Sequence, residues 1–417
     1  MKLRTTILVL LFFASFSKAQ KYKLADLEDH FLKNNYWLIA QKLNVNRLDA
    51  EILQEKLWPN PTLTVDEVNL WANQPVEEMP PIFGNYGRTQ QISVGLEQLI
   101  VTAGKRKKRV DLKNLEKNSA NYEYAELILN LKKDLRDSYF EVQSANEQLL
   151  VLESQLQLFQ NLEKQYARQS QLQNISKADY LRIQTEVKSL RNEMVALQTE
   201  QIDNLSSLEI LTQIPNLSAE SLDFSNSKID KSILLPNDLT EIFTNTNPNY
   251  LNQKNTVLMA DKAFDLAISE RVPDVTLSLG YDRGGNIMQD FIGLGFSIDL
   301  PIFNTNKGNI KAAKYVADQE SVHISGIKWE LENKIKKNVQ QLLNFENTLK
   351  LYSEEEIKDQ NLIIENYQKQ FQNKQVTLLE MIDFLEAVRT SKSSEAELHE
   401  NYYKTFEEIQ YLIGKDL

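Results

Sequence analysis

Few residues in this chain have the types and spacing that chemistry requires. Its three histidines, His30, His323 and His399, are widely separated, and there is no cysteine to complete a site with any of them. A zinc centre or a nucleophile–base–orienter triad needs such groups in a defined constellation, and none is present. No glycine-rich segment has the phosphate-loop form. The expectation is a protein that is not an enzyme, with no cofactor and no metal site.

The informative polar residues are two small knots placed 201 positions apart, Asn174-Ile-Ser-Lys-Ala-Asp-Tyr180 and Gln375-Val-Thr-Leu-Leu-Glu-Met381. In each, a hydroxyl residue precedes an acid by three positions: Ser176 and Asp179, then Thr377 and Glu380. That spacing approaches the capping box, and the helix dipole favours acids in a first turn. Helix initiation alone therefore accounts for Asp179 and Glu380. Asp383, like its first-half counterpart Arg182, sits a turn further in, where capping gives no reason for a charge.

Long helices must position these knots. Val142, Ala145, Leu149, Leu152, Leu156, Phe159, Leu162 and Tyr166 recur in steps of three and four, the seam of a helix packed on another helix. No Pro or Gly lies between Lys105 and Asn174, so an unbroken helix would run to roughly 100 Å. After Ser176 the pattern restarts through Tyr180, Ile183, Val187, Leu190, Met194 and Leu197, which makes a helical hairpin. The same grammar returns in the second half, and duplication is the reading that follows.

Between the helices lie four alternating stretches. Thr62-Leu-Thr-Val65 follows Trp58-Pro-Asn-Pro61, and Ile92, Val94 and Leu96 alternate with Ser93, Gly95 and Glu97. Val275, Leu277, Leu279 and Tyr281 follow Pro273, and Ile292, Leu294, Phe296 and Ile298 precede Pro301. Pro59, Pro61, Pro273 and Pro301 are thus expected at the strand–helix joints, since proline cannot continue a helix or a central strand. One face is apolar and the other carries Ser, Thr, Gly and acids, the pattern of an outer-membrane strand. Aromatics such as Trp58, Trp71, Tyr86, Tyr281 and Phe303 suit an interfacial girdle. Four strands cannot close a barrel, and open edges are not tolerated in lipid, so the barrel would be shared with copies of the same chain.

Lys2 and Arg4, an apolar run from Thr5 to Phe16 and Ser17-Lys18-Ala19 read as a secretory signal, cut after Ala19. The absence of cysteine leaves no acylation site and no disulfide. The formal net charge of −11 argues against a nucleic-acid partner. The basic run Lys105-Arg-Lys-Lys-Arg109 opens a long helix directly after a strand and reads as a solvated or headgroup-facing collar.

Leu57-Trp-Pro-Asn-Pro-Thr-Leu63, Ile92-Ser-Val-Gly-Leu-Glu-Gln98 leading to Ala103-Gly-Lys-Arg106, Val272-Pro-Asp-Val-Thr-Leu277 and Ile298-Asp-Leu-Pro-Ile-Phe-Asn304 together resemble the TolC family of outer-membrane efflux channels. The likeness in order and spacing covers essentially the whole mature chain. It departs at Leu99, where the family often has proline, and in lacking the cysteine of lipid-anchored members. The Pro-Asn-Pro-Thr-Leu strand with Glu67 and Asn69, plus Gly104-Lys-Arg106, looks nearest to the heavy-metal-cation efflux members.

The resemblance implies a mainly α chain with a membrane β-barrel: a homotrimer sharing a twelve-stranded barrel, with a periplasmic α-helical tunnel and an equatorial layer. It implies outer-membrane lipid, a periplasmic adaptor of the membrane-fusion type and an inner-membrane pump of the RND type as partners. The hairpin tips would form the periplasmic entrance, with Asp383 first, then Glu380, Asp179 and Arg182. Asn174, Ser176, Gln375 and Thr377 would face the adaptor. The expected divisions are a signal over 1–19, a first repeat over 20–212, a linker over 213–237 and a second repeat over 238–417. Strands are expected at about 61–69, 89–101, 273–282 and 290–301, and hairpins at about 105–212 and 307–413. The alternatives are a periplasmic coiled-coil adaptor or structural protein, or the outer-membrane conduit of a type I protein secretion system. An adaptor has one hairpin between β-rich modules, not two hairpins and four lipid-type strands.

Overall fold

The computed structural model describes residues 21–66, 68, 69, 71, 78–225, 235, 236, 238–284, 288, 290–352 and 354–417. The signal segment 1–19, Glu67, Gly285 and part of the 213–237 linker lie outside the described residues. In order the elements are α1 (Leu24–Asn34), α2 (Tyr36–Glu55), β1 (Thr62–Asp66), β2 (Ile92–Ile100), α3 (Lys105–Gln171) and α4 (Lys177–Thr212). They continue with α5 (Leu239–Thr246), α6 (Pro248–Ser269), β3 (Val275–Arg283), β4 (Asp290–Ile298), α7 (Lys307–Leu349), α8 (Glu354–Gln372) and α9 (Leu378–Ile413). The chain folds as two units. One comprises the chain up to Ala40 with Tyr124–Pro248 and Lys328–Leu417, and the other comprises Gln41–Glu123 and Asn249–Ile327.

The first unit holds two helix-packed cores. Leu27, Phe31 and Leu38 pack with Leu135, Tyr139, Phe140 and Val142, and with Leu208 and Leu211. The segment after α4, expected to be irregular, joins this core through Leu217 and Leu222. Its backbone is tied down by Tyr22 N–H to Ser221 O at 2.8 Å and Asp223 N–H to Tyr22 O at 2.9 Å. The Tyr139 hydroxyl also donates to Asp223 O at 2.6 Å. The second core sets Leu152, Phe159 and Leu162 against Ile183, Val187 and Leu190 of α4 and Leu378, Met381 and Leu385 of α9. Those are the residues of the three–four seam, and their removal from water drives the hairpins together.

The helical stretches before β1 and before β3 are each broken once, at Asn35 and Asn247. No proline or glycine causes the first break. Asn35 ends α1, and its Oδ1 accepts from Trp37 N–H at 3.0 Å and Leu38 N–H at 3.2 Å to cap α2. Its Nδ2 donates to Leu211 O at 3.0 Å, in a site with no solvent exposure. Asn247 ends α5, donates Nδ2 to Leu412 O at 2.8 Å, and precedes Pro248 in the first helical position. Each asparagine thus satisfies an orphan carbonyl at the C-terminus of a returning helix. Those helices end alike, with Gln213 at φ 60° and Gly414 at φ 75°. At Gly414 only glycine fits, because a Cβ would lie 2.5 Å from Asn247 Cα and 2.6 Å from Thr246 O.

A half-buried ionic knot closes this region. Arg136 meets Glu28 at 2.6 Å, Glu407 at 2.6 Å and Asp416 at 3.1 Å, while Lys132 reaches Glu28 at 3.3 Å and Asp416 at 2.5 Å. Burial pushes the Glu407 carboxyl above the usual range, against the pull of Arg136. Burial opposes the Arg136 charge too, but Glu28 and Glu407 outweigh it and hold the guanidinium firmly protonated.

The second hairpin, expected over 307–413, carries a break besides its turn. It falls between Leu349 and Glu354, where Leu351 N–H and Tyr352 N–H tighten to Thr348 O and Leu349 O, both at 3.0 Å.

The second unit carries one antiparallel sheet in the order β1-β2-β3-β4. Beyond β1, Asn69 N–H donates to Gln91 O at 3.2 Å, and β4 ends at Ile298, before Pro301. The register places Leu63, Leu96, Leu279 and Leu294 in one row and Val65, Val94, Tyr281 and Ile292 in the next. The opposite face has Thr62, Glu97, Ser278 and Gly295 in one row and Thr64, Gly95, Gly280 and Gly293 in another. The helix-side end of the sheet is clamped at Asp274, whose Oδ1 takes Thr102 N–H at 2.8 Å and the buried Lys105 Nζ at 2.9 Å. Thr102 Oγ1 donates to Pro273 O at 2.7 Å, and Gln98 Nε2 donates to Pro59 O at 3.0 Å. Two of the prolines expected at the joints are therefore hydrogen-bonded into them, while Pro61 and Pro301 are exposed.

Asn35→Ala is expected to destabilise the fold by about 1–3 kcal/mol, because it strips a cap and leaves buried carbonyl and amide groups unpaired. Asn35→Asp should recover only the capping part, since a carboxylate cannot donate to Leu211 O. Equilibrium denaturation of both variants checks this, and equal stability of Asn35→Asp and the parent would refute the role of the donor.

Candidate functional site: the hairpin tips

The tips are built from two copies of one turn. α3 ends with Gln173 at φ 57°, and α8 with Lys374 at φ 58°. Asn174 N–H donates to Gln169 O at 2.9 Å and Gln173 N–H to Ser170 O at 3.1 Å. The second tip repeats this, with Gln375 N–H to Gln370 O at 2.9 Å and Lys374 N–H to Phe371 O at 3.0 Å. This is the Schellman closure, here with non-glycine residues in the left-handed region, which costs about 1–2 kcal/mol per residue. The sequence signal for it is weak, because glycine is the usual marker and neither turn has one. Asn174 adds a side-chain bond to Gln169 Oε1 at 2.8 Å.

The return helices start differently. Thr377 and Glu380 form a complete capping box: Glu380 Oε2 accepts from Thr377 N–H and Oγ1, both at 2.8 Å, and Glu380 N–H donates to Thr377 Oγ1 at 3.3 Å. The backbone and hydroxyl donors of Thr377 hold the Glu380 carboxyl below its usual range. In the first hairpin Ser176 Oγ instead accepts from Ala178 N–H at 3.1 Å, and the box with Asp179 does not close. Side-chain length alone does not decide this, since at the start of α1 Asp26 Oδ2 accepts from the cap amide of Lys23 at 3.0 Å. Asp179 is half-buried in the first turn of α4.

Arg182 and Asp383 are exposed, and neither makes a hydrogen bond or ion pair among the described residues. The structure brings the two tips into one locality, because Ile183 and Val187 share a core with Leu378, Met381 and Leu385. Further along the hairpins Gln155 Nε2 donates to Leu385 O at 2.9 Å, and Arg389 pairs with Glu186 at 3.0 Å and Glu193 at 3.4 Å. Glu386 extends the run of exposed acids Glu380 and Asp383 by another three positions. Its spacing was readable in the sequence, but nothing there separated it from an ordinary solvated residue. The second tip is therefore the acidic one, and the first is mixed. Among the described residues no group of His, Asp and Glu is arranged to hold a metal ion. No described helix is long and apolar enough to cross a membrane.

Residues 27–212 match the family model of outer membrane efflux proteins. Over this segment, under half of the chain, the sequence is similar to the outer membrane efflux proteins. Solved structures of this class share the fold over nearly the whole chain. CusC, described in terms of folding and transmembrane channel formation, has 17% identity and a TM-score of 0.73, covering 94% of this chain and 92% of its own. The CmeC outer membrane channel of Campylobacter jejuni has 13% identity and a TM-score of 0.70, covering 94% and 85%. The VceC outer membrane protein of Vibrio cholerae has 14% identity and a TM-score of 0.71, covering 94% and 96%. No curated protein sequence matches the chain significantly. The mainly α architecture of the family thus extends to the second half, beyond the matched segment.

Because its folded-state carboxyl is depressed, Glu380 stabilises the second tip at pH values above the ordinary carboxylate range. That contribution is lost as pH falls through its folded pKa. The amide protection factor at the start of α9, which corrects for the intrinsic slowing of exchange in acid, should fall on acidification in the parent, while Glu380→Gln should lack this acid step. Thr377→Ala should loosen the same turn by about 1 kcal/mol at neutral pH.

Proposed function

We propose that this chain is one protomer of an outer-membrane efflux channel, a passive conduit for small molecules or ions handed over by an inner-membrane pump through a periplasmic adaptor. The observation that carries the reading is the uncovered apolar face that runs without interruption across all four strands, with Leu294 88% exposed. Such a face is costly in water and favourable in lipid. β1 and β4 are the two edges of the sheet, and edges in lipid must be paired. Copies of the chain would pair them, three copies giving a closed twelve-stranded barrel with the helical hairpins as a periplasmic tunnel.

In this assembly the two repeats, 20–212 and 238–417, each supply two strands and one hairpin, and 213–237 belongs to the equatorial layer. Asp383, Glu380, Asp179 and Arg182 line the periplasmic entrance. Asn174, Ser176, Gln375 and Thr377 meet the adaptor, and the pump is of the RND type. The protein needs no lipid anchor, since the sheet itself provides the attachment. The Pro-Asn-Pro-Thr-Leu segment that Asn69 follows, with Gly104-Lys-Arg106, is nearest to the heavy-metal-cation members, so the cargo class is a heavy-metal cation or a drug; Glu67 lies outside the described residues.

Replacing Leu294 by Arg should impair insertion by about 2–4 kcal/mol, the cost of a cation on a lipid face. Ser278→Arg, on the other face, should be milder. Equal sensitivity of the two faces, read as folded trimer recovered from membranes, would return the sheet to a soluble role. At the entrance, three copies of Asp383 around one axis would concentrate cations. Divalent cations added on the periplasmic side should block single-channel conductance, less so as salt rises, because screening shortens the field to about 8–10 Å at 0.1–0.15 M. Asp383→Asn should reduce block and cation selectivity without loss of trimer, since this carboxylate has no structural partner. Unchanged block would remove Asp383 from the entrance.

A further inference from the structure

The run Lys105–Arg109 is not used by the channel reading, and its side chains are not equivalent. Lys105 is buried against Asp274 at 2.9 Å. The Arg106 guanidinium lies 4.3 Å from the centre of the Trp58 ring and donates to Lys56 O at 2.6 Å, so it is spent on holding the start of β1 to the start of α3. Lys108 donates to Asp265 O at 2.9 Å. Lys107 and Arg109 remain exposed, with no side-chain hydrogen bond or ion pair among the described residues, and the side chains of Lys56 and Arg271 are in the same condition.

These cations share one end of the sheet. The antiparallel register puts the start of β1, the end of β2, the start of β3 and the end of β4 together. Lys56 precedes β1, Lys107 and Arg109 follow β2, and Arg271 precedes β3. With the Lys105–Asp274 pair set aside, segments 55–58, 105–111, 270–273 and 298–303 hold six cations against four acids, in a chain whose net charge is −11. Exposed apolar groups border them: Leu57, Trp58, Val272, Leu300, Ile302 and the fully exposed Phe303. A surface with apolar groups toward the sheet, an amphipathic tryptophan at its rim and unpaired cations beyond matches the layered chemistry of a lipid leaflet.

We propose that this end of the sheet is a collar that binds anionic phospholipid headgroups through Lys56, Lys107, Arg109 and Arg271, with Trp58 at the headgroup level. The proposal rests on the channel reading for the depth of the sheet and adds to it a lipid preference. Phosphate diesters accept charge-assisted hydrogen bonds from both side-chain types, and the adjoining acyl chains cover the apolar border. A free anion would meet the cations but leave that border in water, which is why a lipid is the assigned occupant.

The test uses the full assembled protein with phosphatidylglycerol as probe. The parent should retain phosphatidylglycerol in preference to phosphatidylcholine by native mass spectrometry, and the preference should fall with salt. Lys107→Gln with Arg109→Gln should weaken retention about twentyfold, from roughly fivefold per cation at a membrane surface. Both side chains are unbonded, so assembly and insertion into phosphatidylcholine vesicles should be unchanged. Insertion of the parent with no preference for phosphatidylglycerol, or a preference that survives the double substitution, overturns the collar alone. Displacement of the lipid by millimolar inorganic phosphate would make it a simple anion site and overturn the lipid assignment. Failure of the parent to enter vesicles at all would overturn the channel reading and the collar with it.

Discussion

An apolar sheet face with nothing of its own chain upon it is the constraint on which the rest of this structure depends. The four strands pair fully with one another, but the sheet ends at β1 and β4 with backbone groups turned outward. A sheet whose polar rows are Gly, Ser and Thr with Glu97 has little side-chain volume there to build a core. In the proposed channel a nonpolar medium on one face and strand partners at both edges would supply the stability that this sheet lacks by itself. The joints below the sheet follow from the same need. Thr102, Lys105 and Asp274 fix where the strands stop, so that the helices start at a defined height.

The helical part meets a different problem, which is how to end long helices in dry surroundings. Each returning helix runs into buried ground and would leave carbonyls unpaired. The two asparagines at the kinks solve this twice, at Leu211 and Leu412, and in doing so they split what would otherwise be continuous helices. The same backbone closure recurs at the two tips with different residues, Gln173-Asn174 and Lys374-Gln375. Low identity between the halves is consistent with this, because backbone bonding tolerates many side chains while the caps and left-handed positions do not move.

Charge is distributed with the same economy. Several helix cations are paired, as around Arg136 and Arg389, and two groups of exposed charges bear on function. Exposed acids gather after the second tip, and exposed cations gather where the strands meet the helices. The first tip does not share the acidity of the second: its acid is half-buried and its next charged position is Arg182. An entrance built from both tips would thus alternate acidic and mixed segments around its axis.

The sequence by itself determined what depends on local periodicity and chemistry. The three–four seams made hairpins, the two-residue alternation made strands, and the prolines marked the joints, because each of these is written in neighbouring residues. The family likeness was legible for the same reason: it lives in short segments flanking strands. Only the tertiary structure decided what depends on partners far away in the chain. Asn35 looks like any helical asparagine until Leu211 O is 3.0 Å from it, 176 positions later. Asp179 looks like a capping acid until the turn sets Ser176 on Ala178 instead. The break after Leu349 carries no breaker residue at all. At the candidate site, the acids after Thr377 were visible as a pattern, but which were committed to the fold and which stood free was not. That distinction is one of distance, since Glu380 reaches the cap amide and Asp383, a turn further on, has nothing within reach.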